Sequence, residues 1–546
     1  MKGVTMVERC STIPGVRWRR RSLRGLLAAS ACVLCHCGGG AETTSPVRAP
    51  SASAPISTPV PAKTASTEDP FKLPARLRED VAPPENLRDV DLVRFATVRK
   101  LPGVSAPACP VVAPSGGAVK KPACERPAME ALTSALRSGD AALAELESCP
   151  SLPPGLVRAL RAEVAKPECA DQYVDDFLEH PKQGTPPHLV HVMAGQSVAA
   201  KLLRTGTQAP AIQGPISKEK LVAHINTTFA PWFKQTFATI DQLSQFAVTL
   251  QGYGKAIAAT EAGYAELRVV ETIRTSPKPQ DWDAELKLVY EGALEDALAP
   301  MKAKGRDATL VGFGIMAMLD LPASPRVSRA RNLLARMYGG RRIDALDALM
   351  FGQAPRTQPE AANDETRTQQ SATYFLRVIS PPTAEPEPGK GPLADRLRAA
   401  ERRLLRGSTF WRAVDYDRVL ALVGNDANTD DTARLYTALA LALRQGPVDA
   451  LHFMSAQSPS DLNLLHTEAL DQLAGEKRAT SGVAAFDAAL LHEIAPPATN
   501  QHEHFIDVAQ RYEAAASMLV NAPQSAAKTR AEGARTIAAA IREKVR

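Results

Sequence analysis

From Pro127 onward, apolar residues recur every three or four positions, the spacing of helices that bury one stripe. Met129, Leu132 and Leu136 lead, and Leu143 and Leu146 follow after a break at Ser138-Gly139-Asp140. Pro153-Pro154 precedes a helix over Leu156–Val164, and Pro186-Pro187 precedes another over residues 189–203. Proline suits a first turn because its missing N–H would have no intrahelical partner there. Over residues 231–250, Phe233, Phe237, Ile240, Leu243, Ala247 and Leu250 form one stripe, opposite Lys234, Gln235, Asp241 and Gln242. Further helices are predicted over Gly252–Arg274, residues 282–301 and residues 307–320. Residues 308–319 are apolar almost all round, but they reach only about two-thirds of the ~20 residues a membrane span needs. A buried helix is the expectation there.

Proline and glycine cluster between Gly352 and Pro392. Residues 353–370 and 380–392 are polar or proline-rich and flank residues 374–379 (YFLRVI), which read as a lone strand. This places a boundary at 353–392, between a first helical domain at 127–352 and a second at 393–546. In the second, helices are predicted at 393–405, 411–423, 432–444, 461–473, 483–494, 504–520 and 526–545. Alanine-rich, glycine-poor segments at this spacing pair antiparallel, and no strand signal supports a sheet. The fold class is therefore all-α, built from helix hairpins. Phe505, Val508, Ala509 and Tyr512 make a first-helix pattern that resembles the tetratricopeptide family of helical repeats. The second helix departs from it, with Asn521 and Ser525 in the small and aromatic slots and Pro523 between them. The resemblance implies an α-α superhelix whose concave face receives a peptide or a partner domain.

Composition changes the picture most at the amino end. A cationic block at residues 17–24 runs into a short apolar stretch at 25–35 and ends at Cys37-Gly38-Gly39-Gly40. The stretch is too short to span a bilayer and reads as an export signal over 1–37. With cysteines at its end it resembles a bacterial lipoprotein signal, which implies an acylated first mature cysteine. Cys37 has Leu34 at the fitting offset and is favoured; Cys32, after Ser30-Ala31, is the alternative. Acyl chains contribute about 0.8 kcal/mol per buried CH₂, so several would moor the protein to a membrane without a spanning helix. Ordinary cleavage nearby, releasing a free protein, is the competing reading. Residues 1–37 hold seven of the 65 basic and one of the 59 acidic side chains, leaving 58 of each beyond. The basic balance therefore belongs to the export signal and is no footprint for nucleic acid, whose phosphates require a clustered positive surface in the folded part.

Residues 38–126, rich in proline, serine, threonine and alanine, read as a disordered tether with residues 89–99 as one short ordered piece. Beyond Cys37 remain Cys109, Cys124, Cys149 and Cys169, an even set that in an exported chain predicts two disulfides. Of the three connectivities, Cys109–Cys124 with Cys149–Cys169 closes the shortest loops and is the expectation.

Candidate chemistry is sparse. Asp426-x-Asn428-x-Asp430 opens like a calcium loop, but Asp431 and Thr437 stand where glycine and a bidentate glutamate belong. A helix cap from Thr429 or Asp430 explains it more simply. His492, His502 and His504, with Glu493 and Glu503, make a weak zinc or copper set without a firm ligand spacing. His180, His188 and His191 near Asp175, Asp176 and Glu179 read as surface or satisfied histidines. Arg341-Arg342 after Gly339-Gly340 reads as the capped end of a helix over residues 327–338. The sequence contains no HExxH, GxSxG, GxxxxGK[ST] or strand-borne GxGxxG. Glu147-Ser148 lacks the surroundings of a lytic transglycosylase site, and Trp232, Trp282 and Trp411 read as core. The expectation is a lipid-anchored scaffold of the cell envelope that binds envelope proteins or peptides through its helical surface, without a cofactor. The alternatives are an envelope enzyme with a site no motif reveals, or a carrier of metal or a small ligand.

Overall fold

The computed structural model describes residues 69–79, 95–104, 106–110, 124–212, 214–321, 324–339, 341–351, 364–379, 385–444, 465–497, 499–522 and 526–546. Among these, every regular element is helical. No described helix is long and apolar enough to cross a membrane. The chain divides into two compact units: Ala65–Trp282 with Met301–Arg546, and Asp283–Pro300 with Met1–Thr64, the last of which lies outside the described residues.

The first helices are α1 (Ala128–Ser138), α2 (Asp140–Glu145), α3 (Leu156–Val164), α4 (Asp171–Glu179), α5 (Pro187–Arg204), α6 (Lys218–His224), α7 (Ala230–Val248) and α8 (Gly252–Arg274). Then come α9 (Ala284–Met318), α10 (Pro325–Leu334), α11 (Arg341–Ala348) and α12 (Asp364–Ile379). α5 and α8 form the centre, since nearly every residue of α5 and most of α8 are buried. Glycine is what lets them meet. A Cβ on Gly195 of α5 would overlap the Gly254 carbonyl of α8, and one on Gly254 would overlap the His191 carbonyl. Gly263 of α8 repeats this close approach against Gly305 and Thr309 of α9.

That contact explains one departure from the sequence expectation. Residues 282–301 and 307–320 were expected as two helices with a break near Lys304-Gly305-Arg306, but α9 runs through it. Glycine within a helix costs about 1 kcal/mol relative to alanine, which backbone-to-backbone packing on α8 offsets. A second correction concerns residues 374–379. They are not a strand but the last turns of α12, with Ala372, Tyr374 and Phe375 buried. Aromatic and β-branched residues mimic a strand locally, yet packing of α12 against α1 and α3 selects the helix. A third is that Arg341-Arg342 opens α11 instead of closing the helix before it.

The remaining helices are α13 (Leu393–Phe410), α14 (Ala413–Val423), α15 (Asp431–Arg444), α16 (Glu468–Gly475), α17 (Ser481–Ile494), α18 (Gln501–Leu519) and α19 (Ala527–Val545). Each packs on the next in chain order. Between α13 and α14, Trp411 takes a left-handed conformation (φ 53°) and turns the chain back within two residues. Buried arginine–carboxylate pairs lace this half. Asp415, fully buried, accepts from Arg403 at 2.9 Å and Arg406 at 2.7 Å, and Arg406 also reaches Asp320 of the first half at 3.1 Å. Residues on both sides of 353–392 thus lie in one compact unit.

Candidate functional site

Two described stretches of the proline-rich lead, assigned to a tether by composition, lie extended against the helices. Residues 95–104 and 106–109 cross α5, α7 and α8. Val98, Leu101 and Val104, spaced every third residue, pack on a core formed by Ala194, Val198, Leu202, Ile240, Leu243 and Phe246 among others. The main chain is read directly: Gln251 Oε1 accepts the Ala96 N–H at 2.7 Å, and His191 Nε2 lies 2.7 Å from the Ala96 carbonyl. Because His191 Nδ1 accepts the Gln251 N–H at 3.1 Å, Nε2 carries the proton and donates. Arg204 donates to the Pro107 carbonyl, and its other nitrogens pair with Asp171 at 2.6 and 2.9 Å.

The disulfides end this stretch and correct the expected pairing. Cys109 bonds Cys169 and Cys124 bonds Cys149, a nested pattern with separations of 60 and 25 residues. Loop entropy favours the shorter rings, but seating residues 95–109 brings Cys109 to the turn before α4, where Cys169 is buried. The native fold outweighs the roughly 1 kcal/mol or less by which such ring lengths differ in closure.

The second stretch, residues 69–79, lies along α14 and α15. Asp69 starts it with a turn, its Oδ1 accepting the Phe71 N–H and its carbonyl the Lys72 N–H, both at 3.0 Å. Phe71 is thereby set under the Arg434 guanidinium, 3.7 Å from the ring centroid, while Arg434 is fixed from behind by Glu476. Leu73 reaches Gly424 at the end of α14, where a Cβ would come within 2.9 Å of it. Further on, Asp417 of α14 and Arg444 of α15 pair at 2.6 Å with the carboxylate fully buried. Asp417 accepts the Arg78 N–H at 2.8 Å, Arg444 donates to the Arg76 carbonyl at 3.5 Å, and the Arg78 guanidinium donates to the Arg444 carbonyl. That carbonyl belongs to the last turn of α15, whose dipole favours a cation. One ion pair thus reads a C=O and an N–H two residues apart on an extended chain, the work a strand edge does in a sheet.

A third constellation sits in the core of the first half. Glu163 accepts from the Tyr253 hydroxyl at 2.9 Å and from Gln196 at 2.8 Å. Arg326 lies 3.6 Å from Glu163 and 3.0 Å from Glu261, which also takes Arg329. Burial pushes the Tyr253 hydroxyl well up, with the Glu163 charge adding to it, so it stays a donor. Two carboxylates and two arginines balance, and Tyr253 stacks on Tyr374 of α12 at 4.3 Å. The network joins α3, α5, α8, α10 and α12 through a group closed to solvent.

The remaining predicted residues separate. Cys37 and Cys32 lie outside the described residues. His492 and His504 meet at 6.5 Å between ring centroids, but His504 Nε2 is taken by the His492 carbonyl and His492 Nε2 by Asp471 and Thr467. His502 stays exposed and apart from them. Among the described residues no three histidine, cysteine, aspartate or glutamate side chains gather as a metal set. Asp430 caps α15 through the Ala433 N–H at 2.8 Å, while Asp426 pairs with Arg396 and Asn428 with Arg434. His180 ends α4, and His188 is buried beside Phe95 with neither ring nitrogen hydrogen-bonded.

Asp417 was missed because an Asp in a helix reads as a solvated face. A signal existed: it stands four residues after Ala413 and three before Leu420, on the stripe that α14 buries. Comparison with family models, with curated proteins and with solved structures finds no match to this chain.

Proposed function

We propose that this protein is an exported, lipid-anchored scaffold of the cell envelope, whose tetratricopeptide-like helix hairpins bind proteins or peptides. The observation that carries the reading is that its helical body already receives extended chain: residues 69–79 and 95–109 are held by side chains that bond main-chain groups. A surface that satisfies an extended backbone suits a peptide partner. The leader at 1–37 supports the address, since its charge and cysteines match an acylated export signal.

Two measurements test it. Detergent-phase partitioning of the native protein should place it with lipid, and Cys37→Ser should move it to the aqueous phase while Cys32→Ser leaves it; aqueous behaviour of the unaltered protein defeats the anchor. Cross-linking in the intact envelope should capture defined protein partners. Capture of none, with turnover of a substrate by the purified chain, would overturn the scaffold.

A further inference from the structure

The groove of α14 and α15 is filled by the chain's own residues 69–79, and the manner of filling says what else would fit. Three features of the seat are independent. A main-chain clamp comes first: the buried Asp417–Arg444 pair bonds the Arg78 N–H and the Arg76 carbonyl, contacts any extended peptide could offer. Next is an aromatic seat, the Arg434 guanidinium over the Phe71 ring, which Glu476 and the Asn428 side chain hold in place. Last is a small-residue floor, where Gly424 leaves room for Leu73 and no heavy atom beyond Leu73 is among the nearest within 4 Å of an added Cβ. At the end of the groove the Arg78 guanidinium donates to the Arg444 carbonyl in the last turn of α15 and lies 3.7 Å from Asp417, whose charge Arg444 already balances.

Nothing covalent holds this segment. The 95–109 stretch ends in the Cys109–Cys169 bond, whereas 69–79 is seated by hydrogen bonds and side-chain contacts alone. The lead also repeats the core of its docking sequence. Lys72-Leu73-Pro74 recurs as Lys100-Leu101-Pro102, and in both copies the leucine is the residue packed against helices.

We infer that the α14–α15 groove is a docking site for a partner peptide of the form Phe-x-Leu-Pro-x-x-x-Arg in extended conformation, and that residues 69–79 occupy it in cis. This rests on the scaffold reading and specifies its ligand. A cis occupant competes at the high effective concentration of a tethered group, so a partner binds only by displacing it.

The test uses the full chain and a fluorescent synthetic peptide of residues 69–79, followed by anisotropy. A Phe71→Ala/Arg78→Ala protein, with its own segment released and its groove intact, should bind the peptide saturably, and the unaltered protein at least tenfold more weakly. A peptide carrying alanine at the Phe71 and Arg78 positions should bind neither. Gly424→Val added to the released variant fills the Leu73 seat and should abolish binding, with helical circular dichroism and the melting temperature confirming that the body is folded. Absence of binding to the released variant overturns the proposal, as does equal binding by the Gly424→Val protein. Either result leaves cross-linking of the envelope free to uphold a scaffold that uses another surface, so the two readings fail separately.

Discussion

Residues 69–79 and 95–109 come from one lead of similar composition, yet the helices hold them by different means. The 95–109 stretch lays three partly buried apolar residues, Val98, Leu101 and Val104, on the core and is locked by Cys109–Cys169. The 69–79 stretch buries Phe71, seats Leu73 against Gly424, and adds charge and main-chain bonds to Asp417, Arg434 and Arg444. Apolar contact and a covalent link fix the first to the core. Contacts without a covalent link make the second a ligand of the core. The contrast teaches that composition alone does not divide tether from structure; the surface the lead lies on does.

The largest effect should come from removing the lock. Cys109→Ser/Cys169→Ser opens a ring of 60 residues, for which chain entropy predicts about 4 kcal/mol of lost stability. A fall of that size in the unfolding free energy from denaturant titration would set the 95–109 stretch within the cooperative core; an unchanged value would place it on a par with 69–79. Asp417→Asn comes next. It leaves Arg444 buried without its counter-charge and weakens the hold on Arg78, at a cost of about 3 kcal/mol. Thermal unfolding of this variant and of Asp417→Asn/Arg444→Met should differ, the double change recovering part of the loss because no unpaired charge remains. Equal losses would show that the pair serves something other than mutual neutralisation.

The smallest effect is a pH dependence beneath Phe95. Burial pushes the His188 imidazole down to about 4, with His191 beside it adding to that, so the fold favours the neutral ring. Its contribution is complete above the unfolded value near 6.5 and is lost as pH falls through about 4. Unfolding midpoints should therefore drop between those limits, and His188→Leu should flatten the drop. A slope identical in both proteins would assign the acid sensitivity elsewhere.

Much of the helical layout was legible in the sequence. The predicted helices over Leu156–Val164 and Gly252–Arg274 coincide with α3 and α8, since proline openings and an unbroken apolar period are local signals. Boundaries drifted where a local signal served another purpose. The gap left between the helices predicted to end at 301 and start at 307 holds Gly305, which is a contact with Gly263. The YFLRVI run reads as a strand but is a helix stacking Tyr374 on Tyr253. The candidate groove was barely legible, because Asp417, Arg434 and Arg444 find their partners 27 or more residues away in the chain: Arg434 finds Glu476, and Asp417 finds Arg444 and Arg78. Charge pairing across such separations leaves no trace in a period of 3.6.

What the sequence settles by itself is local: the all-helical character of the described body and the faces each helix must bury. Tertiary structure decides which cysteines meet, which glycines mark contacts and where the lead comes to rest. The reason is that hydrophobic period is a property of neighbours along the chain, whereas a disulfide, a glycine contact or an ion pair is a property of neighbours in space.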